Sequence, residues 1–258
     1  MRVIDPSLRF LHCLRQREYL ALALTEGLMF TDHEVRFSPT DEPEELLELL
    51  EEITPLLRGK LQALGMPWRT LSKERQRLLL NGLGITRGSV PMICFTEIVP
   101  GRNLIWHRQV FGGYGIMPTL DWMLRNQADR VLYVGSNSPV SRQLYRIIAM
   151  ANILGLHVSN NEPLFDTLTH RTTTPLSYYV EVRDNVSEVE WRIVGETSFF
   201  GGIRDTGSKI PLRMVDVDCI FTPANEVEDI QELASILAHD QRCPPPLVAP
   251  FPDVAALR

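Results

Sequence analysis

Cysteine is scarce in this chain, and the few cysteines are far apart. The 258 residues include four of them, Cys13, Cys94, Cys219 and Cys243, and none has CxxC spacing. Zinc sites and redox-active pairs need closely spaced cysteines, and a disulfide framework is typical of short secreted chains. Three of the four lie within apolar, strand-like runs. The sequence therefore predicts small buried thiols and no metal.

Long apolar runs are also missing. No run approaches the length of about 18 residues that a membrane-spanning helix requires. The opening residues, MRVIDPSLRF, have Asp5 and Pro6 where a secretory signal needs its apolar centre. These absences predict a cytoplasmic protein without a membrane partner.

Positive charge is not in excess. The chain has 26 Lys and Arg residues against 32 Asp and Glu residues, a net charge of −6. A broad nucleic-acid surface requires the opposite balance, so charge does not indicate nucleic acid as the partner. A local basic groove stays open as an alternative.

Several catalytic motifs are absent as well. The chain has no GxSxG, and Cys94 lies inside an apolar strand, so a serine or cysteine hydrolase is poorly supported. Its six histidines show neither HxH nor HExxH spacing, which argues against a metal site. The glycine-rich string FGGYGI does not match the GxGxxG dinucleotide fingerprint.

The order of predicted elements indicates the fold class. Amphipathic helices come first, a set of strand-like runs follows from residue 89, and an acidic helix from residue 224 closes the pattern. Regular alternation of strands and helices is missing, so we expect an α+β fold with a mostly antiparallel mixed sheet. We expect one domain over residues 1–243, with a helical insertion at about 40–86, and a proline-rich tail over 244–258.

Three places in the first half of the chain could carry chemistry. His12 lies in the apolar run LRFLHCL, where a neutral imidazole can donate or accept a proton near neutral pH. Thr96 and Glu97 end the run MICFTE beside a Pro-Gly turn, where a ligand could approach. His107 and Tyr114 flank a glycine-rich turn, which could let the tyrosine ring stack on a planar ligand. Each residue could instead be purely structural: His12 in the core or at a sheet edge, Glu97 at a solvated strand end, and Tyr114 in a turn.

A fourth candidate lies in the late run SEVEWRIVG. Because alternate residues of a strand share a face, Glu188, Glu190 and Arg192 should point one way, and Trp191 with its apolar neighbours the other. The charged face is either an amphipathic edge strand or a carboxylate pair that binds a sugar hydroxyl and stabilises a cationic transition state.

These motifs resemble a known family. The run VPMICFTEI, a following histidine, YGI, a tryptophan and RVLYV resemble the signature of AbiGi-type abortive-infection, phage-resistance proteins. The runs RFLHCL and EVEWRIV resemble flanking features of that family, and DVDCIFTPANEVEDIQEL resembles its closing strand and acidic helix. The resemblance implies a phage-defence role, and such proteins are often labelled antitoxin components.

The order of a histidine, a strand ending in threonine and a Glu-x-Glu strand is also similar to ADP-ribosyltransferase-like folds. That resemblance implies NAD as the substrate, with His12 on its ribose and Thr96 and Tyr114 at its nicotinamide. Glu190 would be the catalytic carboxylate, and Glu188 would orient the acceptor.

Three functions remain open at this point. The leading hypothesis is an NAD-using ADP-ribosyltransferase or glycohydrolase acting on a macromolecule. The second is a non-enzymatic antitoxin whose acidic helix, Glu42 to Glu52, binds a basic surface of a cognate toxin. The third is a metal-independent nuclease with His12 and His107 as acid and base.

Overall fold

The computed structural model describes twelve stretches of the chain. These are residues 5–36, 38–50, 54–63, 65, 67–82, 87–99, 105–136, 138–147, 180–183, 189–197, 202–203 and 207–251. The helices are α1 (Arg17–Glu26), α2 (Pro43–Leu49), α3 (Thr54–Ala63), α4 (Lys73–Gly82), α5 (Ile105–Phe111), α6 (Leu120–Arg125) and α7 (Val227–Asp240). A further helical stretch covers 139–147.

Strands form most of the remaining regular structure. They are β1 (Phe10–Leu14), β2 (Leu28–Met29), β3 (Thr31–Arg36), β4 (Arg87–Glu97), β5 (Tyr114–Pro118), β6 (Asp129–Arg130), β7 (Leu132–Val134), β8 (Val180–Val182), β9 (Glu190–Val194), β10 (Glu196–Thr197), β11 (Gly202–Ile203), β12 (Lys209–Ile210), β13 (Val217–Thr222) and β14 (Leu247–Pro250).

Among the described strands, eight make one sheet in the order β14-β13-β5-β1-β4-β9-β6, with β3 also paired to β4. All of its pairs are antiparallel except β13 with β14, which is parallel. Helices precede, interrupt and follow the strands. The prediction of an α+β fold with a mostly antiparallel mixed sheet is therefore confirmed.

One face of the sheet carries the main core. Helices α1, α6 and α7 pack there through apolar residues at helical spacing, such as Leu20 and Leu24 of α1. From the sheet, alternate residues of β4 and β9 join them, including Phe95 and Trp191. The opposite face carries smaller apolar clusters, one of which contains Met92 and Val194. Because side chains alternate along these strands, one set points into the main core and the other set points to the opposite face of the sheet.

Helix α1 ends at Glu26, directly before a glycine. Gly27 follows it with a φ of 105°, a left-handed conformation that strains residues with a side chain. A Cβ at Gly27 would lie 2.2 Å from the carbonyl oxygen of Ile210. The glycine therefore both stops the helix and lets β2 enter its pairing with β12.

The C-terminal segment contributes more structure than a tail. After Pro244 to Pro246, β14 pairs in parallel with β13 from Cys219↔Leu247 to Thr222↔Pro250. Prolines cannot donate to a strand ladder, which explains their position at the ends of this edge strand. This part of the expected tail is an edge of the sheet.

Candidate functional site

Strand β4 pairs with two different strands along one of its edges. From Arg87 to Met92 this strand pairs with β3, whereas Thr96 and Glu97 pair with β1. The three residues between, Ile93 to Phe95, bond to β9 on one side and face a gap between β1 and β3 on the other. A cavity of about 650 Å³ opens at this gap, which we call the central cavity.

His12 occupies the point where β1 leaves β4. Its Nδ1 lies 2.8 Å from the carbonyl oxygen of Cys94. Because a carbonyl only accepts, Nδ1 carries the proton and Nε2 keeps a lone pair. The ring also packs at 5.4 Å from that of Phe95, and His12 lines the central cavity. The arrangement presents a neutral imidazole acceptor to the cavity.

An ion-pair network forms the buried end of the cavity. The Arg192 guanidinium donates to Glu190 Oε1 from Nε at 2.7 Å and to Glu181 Oε2 at 2.6 Å. The Tyr133 hydroxyl donates to Glu190 Oε2. We call these four residues the inner cluster. It brings two carboxylates to one guanidinium at the edge of an apolar core.

The ionisation states of this region follow from burial and the ion pairs. Burial raises the pKa of Glu190, but hydrogen bonds and charge from Arg192, with the Tyr133 hydroxyl, outweigh it, so the net pKa lies below its ordinary value. Burial raises the pKa of the Cys94 thiol well above its usual range, and the Glu190 charge adds to this. Glu190 is therefore ionised and Cys94 is an unreactive thiol.

Burial lowers the pKa of His12, although the hydrogen bond to the Cys94 carbonyl opposes it. Burial also lowers the pKa of His33, which lines the same cavity, against the nearby Glu190 charge. Both imidazoles are thus held neutral near neutral pH.

These shifts predict a pH dependence of stability. A histidine with a lowered folded-state pKa binds fewer protons than in the unfolded chain, so its stabilisation is complete above its ordinary pKa of 6.5 and falls as pH drops below it. Urea unfolding at several pH values should show a smaller acid-side loss for His12→Gln than for the unmodified chain. The same change at His239, whose side chain is 90% exposed, is the control. Equal acid-side losses in all three proteins would contradict the prediction.

Large apolar side chains are among the exposed residues at the opening of the cavity. Four of the apolar lining side chains are substantially exposed, so they lie at this opening. They are Tyr19 (48% exposed) and Leu22 (45%) on α1, Met29 (48%) on β2 and Phe111 (40%) at the end of α5. We call this set the apolar rim. Exposed apolar patches of this kind mark binding surfaces more often than isolated exposed residues do.

The structure brings together four of the residues singled out from the sequence. His12, Thr96, Glu190 and Arg192 all line the central cavity. Thr96 pairs with Glu190 and Cys94 with Arg192 across β4 and β9, which places their side chains on the same face. The predicted alternation along β9 is confirmed, because Trp191 and Ile193 belong to the main core on the other face.

Three other candidates lie elsewhere. Glu97 follows Thr96 and so points to the opposite face, where its Oε2 accepts a hydrogen bond from Trp191 Nε1 at 2.8 Å. The Tyr114 hydroxyl donates to Glu226 Oε1 at 2.9 Å. His107 is buried on α5, with its ring 5.8 Å from that of Phe111. None of the three lines the cavity. Glu188 lies outside the described residues.

The glycines around Tyr114 allow two backbone segments to approach closely. Gly112 has a φ of 123°, and a Cβ there would lie 2.1 Å from the Leu14 carbonyl oxygen. The close approach is therefore between α5 and β1, and the turn brings Tyr114 into the main core. Because His107 does not line the cavity, the expected acid and base pair of a nuclease is not assembled there.

Sequence reasoning missed several members of the site. Glu181 and Tyr133 belong to the paired strands β7 and β8, and His33 to β3. The one available signal was a single charged residue between two valines in Val180–Val182. A lone carboxylate in an apolar strand indicates a buried partner, but does not identify it.

Two further findings concern metal binding and membrane-spanning helices. The described residues contain no group of three or more histidine, cysteine, aspartate or glutamate side chains that could share a metal ion. In the same part of the chain, no helix has both the length and the apolar composition needed to cross a membrane.

Comparison with known proteins supplies the remaining finding. The model of one protein family, described as "Putative abortive phage resistance protein AbiGi, antitoxin", matches residues 69–210, more than half of the chain. No curated protein and no solved structure matches the chain, so the resemblance to ADP-ribosyltransferases has no support from either comparison. The matched range includes strands β4 and β9 and therefore Cys94, Thr96, Glu190 and Arg192. The chain belongs to the AbiGi family of abortive-infection, phage-resistance proteins.

Proposed function

We propose that this protein is the antitoxin of a two-protein phage-defence pair and that it binds its toxin through the apolar rim. The observation that carries the proposal is the grouping of four large exposed apolar side chains around one cavity mouth. Apolar and aromatic anchors beside a pocket are where protein interfaces concentrate their binding energy. The description of the family as an antitoxin supports a protein partner.

Two carboxylates of the acidic segment already have partners within the chain. Glu42 forms ion pairs with Lys73 at 3.0 Å and Arg77 at 2.7 Å. Glu44 accepts from Trp68 Nε1 at 2.8 Å and pairs with Arg58 at 3.4 Å. These carboxylates already have cationic or donor partners from α3, α4 and the segment between them. A basic toxin surface would have to compete with those contacts.

Co-expression with the protein encoded by the neighbouring gene tests the proposal. The unmodified antitoxin should restore growth and co-purify with the toxin. Tyr19→Ser and Leu22→Ser should each weaken the complex by about tenfold or more, because truncating an interface anchor costs about 1–2 kcal/mol or more.

Leu78→Ser on α4 is the matched control, since Leu78 is 63% exposed and lies outside the rim. Thermal unfolding of all three variants shows whether each is folded. Rim variants that neutralise the toxin as well as Leu78→Ser does would reject this surface. A chain that forms no complex would reject the antitoxin proposal itself.

A second candidate function is the binding and consumption of NAD, or transfer of its ADP-ribose to a macromolecule. The observation that favours it is that His12, Thr96 and Glu190 line one cavity. His12 Nε2 would accept from a ribose hydroxyl, and the ionised Glu190 would stabilise positive charge on the sugar carbon. Against this, Arg192 already neutralises part of the Glu190 charge.

Nicotinamide release from NAD tests the second candidate, with the protein alone and with cell extract as a source of acceptors. An enzyme should lose most of its turnover on Glu190→Gln. Turnover absent under every condition, or unchanged in Glu190→Gln, would reject catalysis.

A further inference from the structure

The central cavity has a different chemical character at its two ends. The residues of the buried end carry acceptor groups: the His12 imidazole, the Thr96 hydroxyl, and the carboxylates of Glu181 and Glu190, which also accept from Arg192. The walls between are apolar, with Leu11, Leu14 and Leu28 among their residues. The exposed lining residues include three cations, Arg15, Arg183 and Lys209, and one carboxylate, Glu34, and Lys209 also forms an ion pair with Glu26.

This layout selects a class of ligand. The buried acceptors favour hydroxyl or amino donors and repel an anionic group, because the inner cluster holds two carboxylates against one guanidinium. The apolar walls favour an apolar group such as a planar ring, and the cations at the opening favour an anionic group. The volume of about 650 Å³ suits a small molecule and exceeds that of any single side chain.

We propose that the central cavity binds a nucleotide-like ligand, with its ring and hydroxyls inside and its phosphate at the opening, and that this ligand and the toxin exclude each other. The exclusion rests on the proposed function, because it requires the toxin to bind the apolar rim. The reason is that Tyr19, Leu22, Met29 and Phe111 belong to both surfaces: they line the cavity and form the rim.

The exclusion has a thermodynamic consequence. When two ligands need the same side chains, each lowers the apparent affinity of the other by the same factor. A nucleotide would therefore release the toxin, and a tightly bound toxin would keep the cavity closed. The antitoxin would act as a sensor of nucleotide concentration without any catalytic step.

The ligand class is tested on the purified chain by titration calorimetry with AMP. Adenosine, which lacks the phosphate, and ribose 5-phosphate, which lacks the ring, are the matched probes. AMP should bind at least tenfold more tightly than either. His12→Asn keeps a donor for the Cys94 carbonyl but loses the Nε2 acceptor, and should lower the AMP affinity about tenfold. No AMP binding, or equal binding of all three probes, would overturn the ligand class.

The exclusion is tested on the complex with the toxin, isolated first without nucleotide. Added AMP should dissociate it with a midpoint that follows the AMP affinity, and His12→Asn should shift that midpoint to about tenfold higher AMP. A complex that AMP leaves intact or tightens, although AMP binds the free chain, would overturn the exclusion while the antitoxin proposal stands. Failure to form any complex would reject the antitoxin proposal and the exclusion together, and the AMP titration would still decide the ligand class.

Discussion

Replacing Arg192 with methionine should lower the free energy of unfolding by about 3–5 kcal/mol, the usual cost of removing one partner from a buried ion pair. The Arg192 side chain is 5% exposed, and its two carboxylate partners are 13% and 15% exposed. Without the guanidinium, two buried carboxylates would face each other with little solvent to screen them. Urea unfolding at neutral pH measures the loss.

An exposed ion pair provides the control for Arg192. Arg17 lies 3.0 Å from Asp229, with side chains 46% and 61% exposed, so Arg17→Met should cost only about 0–1 kcal/mol. The loss in Arg192→Met should also shrink at acid pH, because the uncompensated carboxylates can then take up protons. If both variants lose the same stability, the inner cluster does not stabilise the fold, and a role in ligand binding becomes the better explanation of its charges.

The inner cluster shows which members of the site the sequence could predict. Glu190 and Arg192 are two residues apart on a predicted strand, and the period of two correctly places them on one face. Their further partners, Glu181 and Tyr133, come from the pair β7 and β8. The pairing and register of distant strands depend on packing across the whole sheet, which a single sequence does not reveal.

At Tyr114 a local pattern suggested a ligand site, whereas the structure shows a packing role. The glycines beside this tyrosine suggested room for a planar ligand, but at Gly112 the group that comes close is the backbone at Leu14. The hydroxyl then bonds to Glu226, 112 residues later. Local patterns thus identified most of the helices, several strands and four residues that line the cavity, whereas the split between β1 and β3 that creates the cavity follows from long-range pairing.

Trp191 connects Glu97 to the main core. Its ring packs edge-on against Phe10 at 5.0 Å within the main core, and its Nε1 donates to Glu97 Oε2 at 2.8 Å. Trp191→Ala should cost about 3–5 kcal/mol in unfolding free energy, through lost burial and the cavity left behind.

Trp191→Phe separates the hydrogen bond from the packing. It keeps an aromatic ring but leaves the Glu97 carboxylate without the indole donor, which should cost about 1–3 kcal/mol. If Glu97 serves this contact, Glu97→Leu in the Trp191→Phe background should cost much less than in the unmodified chain, a coupling that a double-mutant cycle measures directly. Additive losses would show that Glu97 acts independently of Trp191. Its carboxylate would then be available to another partner. Coupled losses would assign it to the core side of β4, one residue from the cavity and on the opposite face from Thr96.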